Sequence, residues 1–248
     1  MSLSEKLKYQ NLVISVNGQK GGSGKSTATR GIAENFIANG INFYGVDADG
    51  GNADFFRFYP DKTIIQNLDS EDDFFKFTNE IEKKKLSGNN DPVLISMPAR
   101  ANESDNKHHE LIDSMKNELG LNLVLFWVLN RDLDGVSQLK FALDNFGYLY
   151  SKVIIVKNGF FGEPDDFRAW DDSKTKKRAL EELGGAEIYM PKLNPGLANK
   201  VLALRQEDRI RGYGMQQIID SQLVGLGERA ALRKWLNTFG NELNSVFA

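Results

Sequence analysis

Apolar, β-rich runs recur along the chain at residues 12–16, 41–46, 93–95, 121–129, 152–156 and 187–190. Helical periodicity fills much of the space between them, at 27–39, 72–85, 108–119, 137–146 and 173–183. Strands that alternate with helices predict a mostly parallel sheet covered by helices on both faces. Several of the runs are almost uninterruptedly apolar, as expected of strands buried on both sides. No linker, repeat or low-complexity stretch divides the pattern, which reads as one α/β domain over 1–248. Ligands of such folds bind beyond the carboxyl ends of the strands, so chemistry is expected just after each run.

The first strand end bears this out most clearly. Residues 12–16 lead into Lys20, Gly21, Gly22, Ser23, Gly24, Lys25, Ser26 and Thr27, and a helix-like stretch follows. A glycine-rich turn between strand and helix points successive backbone N–H groups at one spot, where the helix dipole also favours an anion. Lys25 adds a positive charge on a flexible stem, and the Ser26 hydroxyl can ligate the Mg²⁺ that accompanies a nucleotide. A plain connecting turn would need none of these side chains. The general phosphate-loop pattern calls for glycine at position 19, where this chain has Gln19. It matches instead the variant K-G-G-x-G-K-[ST], with an extra lysine, Lys20, at the loop entrance.

Residues 17–27 resemble the deviant Walker A loop of ParA/MinD-type ATPases. The resemblance implies a three-layer P-loop NTPase fold, ATP and Mg²⁺ as ligands, and contacts to them from Gly21, Gly22, Ser23, Gly24, Lys25, Ser26 and Thr27. It also implies that Lys20 is a signature lysine, which in the family reaches across a nucleotide-sandwich homodimer to the partner's phosphates.

The second strand ends in Val46, Asp47, Ala48, Asp49, Gly50, Gly51, Asn52. Two carboxylates two residues apart beside a phosphate loop can hold Mg²⁺ through water and orient the attacking water. An Asp/Gly turn with a helix cap is the alternative. The stretch resembles the D-x-D switch I segment of the ParA group, which makes Asp49 the catalytic candidate and places Asp47 in the Mg²⁺ shell. Gly50-Gly51-Asn52 is one residue shorter than the common family form, and in this it is similar to the TraL/StbB-like ATPases of plasmid transfer and stability. The strand at 93–95 continues as Ser96, Met97, Pro98, where the family has Asp-x-Pro. Ser96 brings no charge, which weakens the expectation of hydrolysis more than that of nucleotide binding; Asp91 lies at the other end of the strand.

Asn158 ends the run at 152–156. Its amide can donate to and accept from an adenine edge at once, although Asn158-Gly159 also reads as a simple turn. The family places an adenine-contacting Asn here, and the continuation Gly159-Phe160-Phe161-Gly162-Glu163-Pro164 again resembles the TraL/StbB-like branch. Pro191 and Lys192 match the family's Ile-Pro loop, which flanks the base.

Composition narrows the class without changing it. The 248 residues are 41% hydrophobic and 26% charged, an ordinary soluble composition. There is no cysteine, which excludes disulfides and thiolate metal sites and fits a reducing, cytoplasmic setting. The charged first ten residues do not read as a signal peptide. The apolar run at 123–129 is far short of the ~20 residues of a membrane span. His108 and His109 read as a solvated helix start rather than metal ligands. Lys174, Lys176, Lys177 and Arg178 follow Ser173, a helix cap, and form either an exposed face or a nucleic-acid patch.

Between 199 and 234, Lys200, Arg205, Arg209, Arg211, Arg229, Arg233 and Lys234 face only Glu207, Asp208, Asp220 and Glu228, a weak basis for non-specific DNA binding. The stripe Leu232, Trp235, Leu236, Phe239, Leu243 and Val246 on the last helix reads as packing on the sheet, not as a membrane helix.

The sequence therefore points to an ATP-driven homodimerising switch with slow hydrolysis, acting with an unknown protein partner in partition, plasmid stability or transfer. A non-hydrolysing nucleotide scaffold and a small-molecule kinase or ligase are the alternatives.

Overall fold

The computed structural model describes residues 11–18, 21–98, 101–208 and 210–247, with the side chains of 101–107 left aside. In chain order the elements are β1 (Leu12–Gly18), α1 (Lys25–Ala38), β2 (Tyr44–Asp47), α2 (Asp54–Phe58), β3 (Thr63–Ile65), α3 (Glu71–Leu86), β4 (Val93–Ser96) and α4 (Ala101–Leu119). Then come β5 (Asn122–Leu129), α5 (Leu133–Phe146), β6 (Lys152–Asn158), α6 (Arg168–Asp171), α7 (Lys174–Lys177), β7 (Ala186–Met190), α8 (Pro195–Ala203), α9 (Met215–Asp220) and α10 (Leu226–Phe247).

The strands form one sheet in the order β3-β2-β4-β1-β5-β6-β7, and every pairing is parallel. β1 lies at the centre, where the strand order changes direction. The crevice outside its carboxyl end is thus the place where a ligand is expected to bind.

Period-two alternation divides the core between the two faces. Leu12, Ile14 and Val16 of β1 and Val124, Phe126 and Val128 of β5 pack with α1 and α10. On the opposite face, Val13 and Leu123 pack with Phe74 and Phe77 of α3. Leu125, Trp127 and Leu129 pack with Leu139 and Leu143 of α5. Burial on both sides explains the continuous apolar runs.

The apolar stripe of α10 is part of this core. Leu232, Trp235, Phe239, Leu243, Val246 and Phe247 are buried, and the helix packs on β7 and α1. No helix among the described residues is long and apolar enough to cross a membrane.

Several elements depart from the sequence expectation. The second strand starts at Tyr44 rather than residue 41; Ile41 and Phe43 are buried without joining the ladder. β3 is a three-residue edge strand, too short to leave a periodic signature. The helix expected at 173–183 is α7 followed by a π-turn at Arg178–Glu182. Ser173 does cap it, accepting from the Lys176 N–H at 3.1 Å.

The solvated helix start at His108 is corrected. α4 already begins at Ala101, and His108 is buried with its ring stacked on Phe74 at 4.2 Å between centroids. Half of the Lys/Arg run after Ser173 is drawn into ion pairs, with Lys176 bonding Asp171 at 2.7 Å and Glu187 at 2.9 Å and Arg178 pairing with Asp144, while Lys174 and Lys177 are exposed.

Candidate functional site

The site is built where β1 ends and α1 begins. Gly24 occupies the N-cap of α1 with φ +99°, a left-handed conformation that L-residues with a side chain adopt only under strain. A Cβ there would also lie 2.3 Å from Asn158 Nδ2, so glycine is required twice over. Gly22 is left-handed as well, at φ +89°. Beside Gly21 and Gly22 a Cβ would meet nothing within 4 Å, so the loop faces open space.

The first turn of α1 has neither a side-chain cap nor an acidic residue. Its leading N–H groups point out of the helix and favour a negative charge. Ser23 Oγ is buried without a hydrogen-bond partner among the described residues, an uncommon condition that a phosphate oxygen reaching it would relieve.

Lys25, in the first turn, is largely buried. Burial pushes its ammonium below the ordinary lysine range, and the nearby Asp49 carboxylate restores only part of the shift. A polyanion at the loop would complete that compensation. Ser26 and Thr27 follow, both half-buried.

The two carboxylates at and just after the end of β2 sit differently. Asp47, at the end of β2, is buried, and its side chain accepts three backbone N–H groups. Oδ1 takes Asp49 N–H at 3.2 Å, and Oδ2 takes Phe55 and Phe56 N–H at 2.8 and 3.0 Å. It therefore fastens the start of α2 to the sheet. Burial pushes its carboxyl up, and these hydrogen bonds pull it back in part. A carboxylate has about four acceptor positions, so one remains for a metal-bound water.

Asp49 is half-exposed and oriented by Asn52 N–H, 3.2 Å from Oδ1. Ser26 in the first turn of α1 and Asp47 at the end of β2 are a hydroxyl and a carboxylate, oxygen-donor types that Mg²⁺ takes beside water and phosphate. Among the described residues, no group of three or more His, Cys, Asp or Glu could hold a metal by itself. Ser96 ends β4 directly opposite Asp47 in the ladder and is buried there. Asp91 precedes β4 and accepts from Asn42 Nδ2 at 2.6 Å, away from the loop. Lys20 lies outside the described residues.

A cavity of about 220 Å³ opens beside the loop, lined by Gly22, Gly24, Thr27, Asn158, Pro191 and Trp235 among others. Asn158 joins its two halves: Nδ2 donates to Ser23 O at 2.8 Å, and Oδ1 accepts Phe160 N–H at 3.0 Å. These two bonds leave one N–H and one lone pair of the amide unused. Lys192 is exposed and stands outside the cavity lining, its Nζ 5.9 Å from the Phe160 ring centroid.

Among the lining residues that the sequence reading did not assign to the site, three stand out. Arg30, one turn after Ser26, is buried with its guanidinium 4.5 Å from the Phe58 ring centroid. Trp235 Nε1 donates to Pro191 O at 2.6 Å, a contact across 44 residues with no local signal. Phe160 was legible as an aromatic following Asn158, but not as a ring at the cavity rim.

Most of the basic residues between 199 and 234 are already engaged. Lys200 pairs with Glu228 at 2.8 Å, Arg211 with Asp208 at 3.2 Å, and Arg229 donates to Val224 O. Arg205 donates to Leu204 O at 2.9 Å, Arg233 and Lys234 are exposed, and Arg209 lies outside the described residues.

Comparison with known proteins agrees with this geometry. The CobQ/CobB/MinD/ParA nucleotide binding domain family matches residues 14–218. Protein MobD of Acidithiobacillus ferrooxidans is 30% identical over 233 residues, covering 93% of this chain and 96% of that protein. Two solved structures are more distant. A nucleotide-binding protein of Archaeoglobus fulgidus in complex with ADP is 14% identical, with TM-score 0.45 over 80% of this chain and 88% of that one. An ATP complex of a Cyanothece McdA variant is 14% identical, with TM-score 0.46 over 94% and 97%. With a phosphate-binding loop at the centre of an all-parallel sheet and a family match over most of its length, the chain belongs to the CobQ/CobB/MinD/ParA nucleotide-binding domain family.

Proposed function

We propose that the chain is an ATP- and Mg²⁺-dependent dimerisation switch with slow hydrolysis. The observation that carries the reading is the anion-shaped deficit at the start of α1. Uncapped N–H groups, a buried Ser23 hydroxyl without a hydrogen-bond partner among the described residues and a burial-depressed Lys25 fall within one loop and the first turn of α1, beside the open space at Gly21 and Gly22. Gly21 to Thr27 hold the phosphates, Ser26 and Asp47 share the Mg²⁺ shell, and Asn158 and Pro191 hold the base, with Lys192 beyond the rim. Asp49, held by Asn52, positions the attacking water, and Lys20 closes the homodimer.

Ser96 supports a second reading, a nucleotide-holding scaffold with little turnover, because no carboxylate ends β4. Plasmid partition, stability or transfer is the cellular setting we infer, by resemblance to the TraL/StbB-like branch. DNA binding would rest on Arg233 and Lys234, since Lys200 and Arg211 are paired.

Calorimetric titration with Mg-ADP tests the site. We expect binding by the wild type and a loss of roughly 10- to 100-fold in Lys25→Ala, the worth of hydrogen bonds from a charged donor. Equal affinities in the two proteins would overturn the assignment.

A further inference from the structure

Phe160 is an exposed aromatic ring that the structure holds rigidly at the cavity rim. Its relative exposure is 56%, and it lines the cavity beside Gly22, Gly24 and Asn158. A large apolar group exposed on a loose loop tip would be unremarked, but this loop is fastened at every residue. Gly159 N–H donates to Met190 O at 2.8 Å, Phe160 N–H to Asn158 Oδ1 at 3.0 Å, and Phe161 N–H to Asn158 O at 3.0 Å. Tyr189 Oη donates to Gly162 O at 3.1 Å. The Phe161 ring then braces Phe160 edge-on, with centroids 5.2 Å apart and planes at 87°. Side-chain addition at Gly159 is blocked as well, since a Cβ would lie 2.4 Å from Tyr189 Oη.

We propose that Phe160 is the stacking platform for the nucleotide base. The proposal rests on the nucleotide reading above and adds to it the residue that grips the base face. The same Asn158 that ties the phosphate loop through Ser23 O also sets the Phe160 backbone, so loop and platform share one anchor. A planar base entering the cavity from the phosphates meets the ring with its orientation already fixed, and little side-chain freedom is lost on binding. Stacking is indifferent to base identity because every base offers a π-face. Phe160 thus supplies affinity, while the spare donor and acceptor of Asn158 supply discrimination.

The test compares wild type, Phe160→Ala and Phe160→Trp by calorimetry with Mg-ADP, Mg-GDP and inorganic tripolyphosphate. The proposal predicts that Phe160→Ala weakens ADP and GDP by a common factor, roughly 10- to 100-fold. Tripolyphosphate affinity stays unchanged, and Phe160→Trp restores nucleotide binding. Unchanged ADP affinity in Phe160→Ala would overturn the platform and leave Phe160 as a protein-contact residue, with the phosphate site intact. Parallel weakening of tripolyphosphate would also overturn it, by showing that the change acts through the loop. A wild type that binds neither tripolyphosphate nor ADP would remove the nucleotide reading itself.

Discussion

Lys25 and Lys176 carry the same ammonium group beside the same kind of carboxylate, yet their surroundings shift them in opposite directions. At the phosphate loop, burial outweighs the pull of Asp49 and the Lys25 ammonium is held below its ordinary range. On the β6–β7 edge, burial acts in the same sense on Lys176, but its hydrogen bonds to the Asp171 and Glu187 carboxylates overcome it and raise the ammonium. Lys157 bonds the same two acids at 2.9 and 3.2 Å, and Trp170 Nε1 donates to Glu187 at 2.7 Å. The edge cluster is a closed set of charges whose ligands are one another. At the loop the Asp49 carboxylate offsets only part of the burial of Lys25. Perturbed groups gather at functional sites for this reason, and the direction of the shift separates the two cases here.

The comparison is broken most severely by changing the loop itself. Gly24→Ala places a side chain at φ +99° and against Asn158, and should cost ~1–3 kcal/mol of stability along with nucleotide binding. Thermal melts with and without Mg-ADP read both effects. Lys25→Ala should separate them: affinity falls as stated above, while the melting temperature without nucleotide holds or rises, because a charge disfavoured by burial is gone.

The closed cluster should respond in the opposite way. Asp171→Asn leaves Lys157 and Lys176 with Glu187 as their remaining acid and should cost ~1–2 kcal/mol, as Asp171 is partly solvated. Nucleotide affinity should not change. Urea unfolding and the same titration distinguish the two regions.

Acid sharpens the contrast. Burial would raise the Asp171 and Glu187 carboxyls, but hydrogen bonds from Lys176, with help from Lys157 and Trp170, hold both below the usual range. Their stabilisation is complete above the ordinary carboxylate pKa of about 4, and it is lost as pH falls through the lower folded values. Asp171→Asn should flatten that part of the stability–pH curve. At the alkaline side, a burial-lowered Lys25 begins to lose its proton before an ordinary lysine does. Mg-ADP affinity should therefore decline at a lower pH than the titration of an ordinary lysine would give, with proton uptake on binding detectable in buffers of different ionisation heat.

Periodicity read the alternation of strands and helices, because strands buried on both faces and helices of three or four turns impose long signals. Short pieces held by distant partners left none. β3 spans three residues, α2 five, and α2 is defined by the Asp47 carboxylate as much as by its own sequence. His108 looked solvated for a similar reason: the Phe74 ring that buries it is on another helix.

At the site, Gly24, Lys25 and Asn158 were legible through a local motif and a strand end. Trp235 and Arg30 were not, since their places depend on Pro191 and Phe58, far away in sequence. Asp47 was legible as a carboxylate at the end of the second strand, while its service as an anchor for α2 appears only in three dimensions.

The central claim is that nucleotide governs assembly, and light scattering of the wild type and Lys20→Ala with Mg-ATP and with Mg-ADP tests it most directly. The account predicts a dimer mass for the wild type with Mg-ATP alone, and a monomer mass for Lys20→Ala in both nucleotides. A mass that ignores the nucleotide, or a Lys20→Ala protein that dimerises like the wild type, would contradict it.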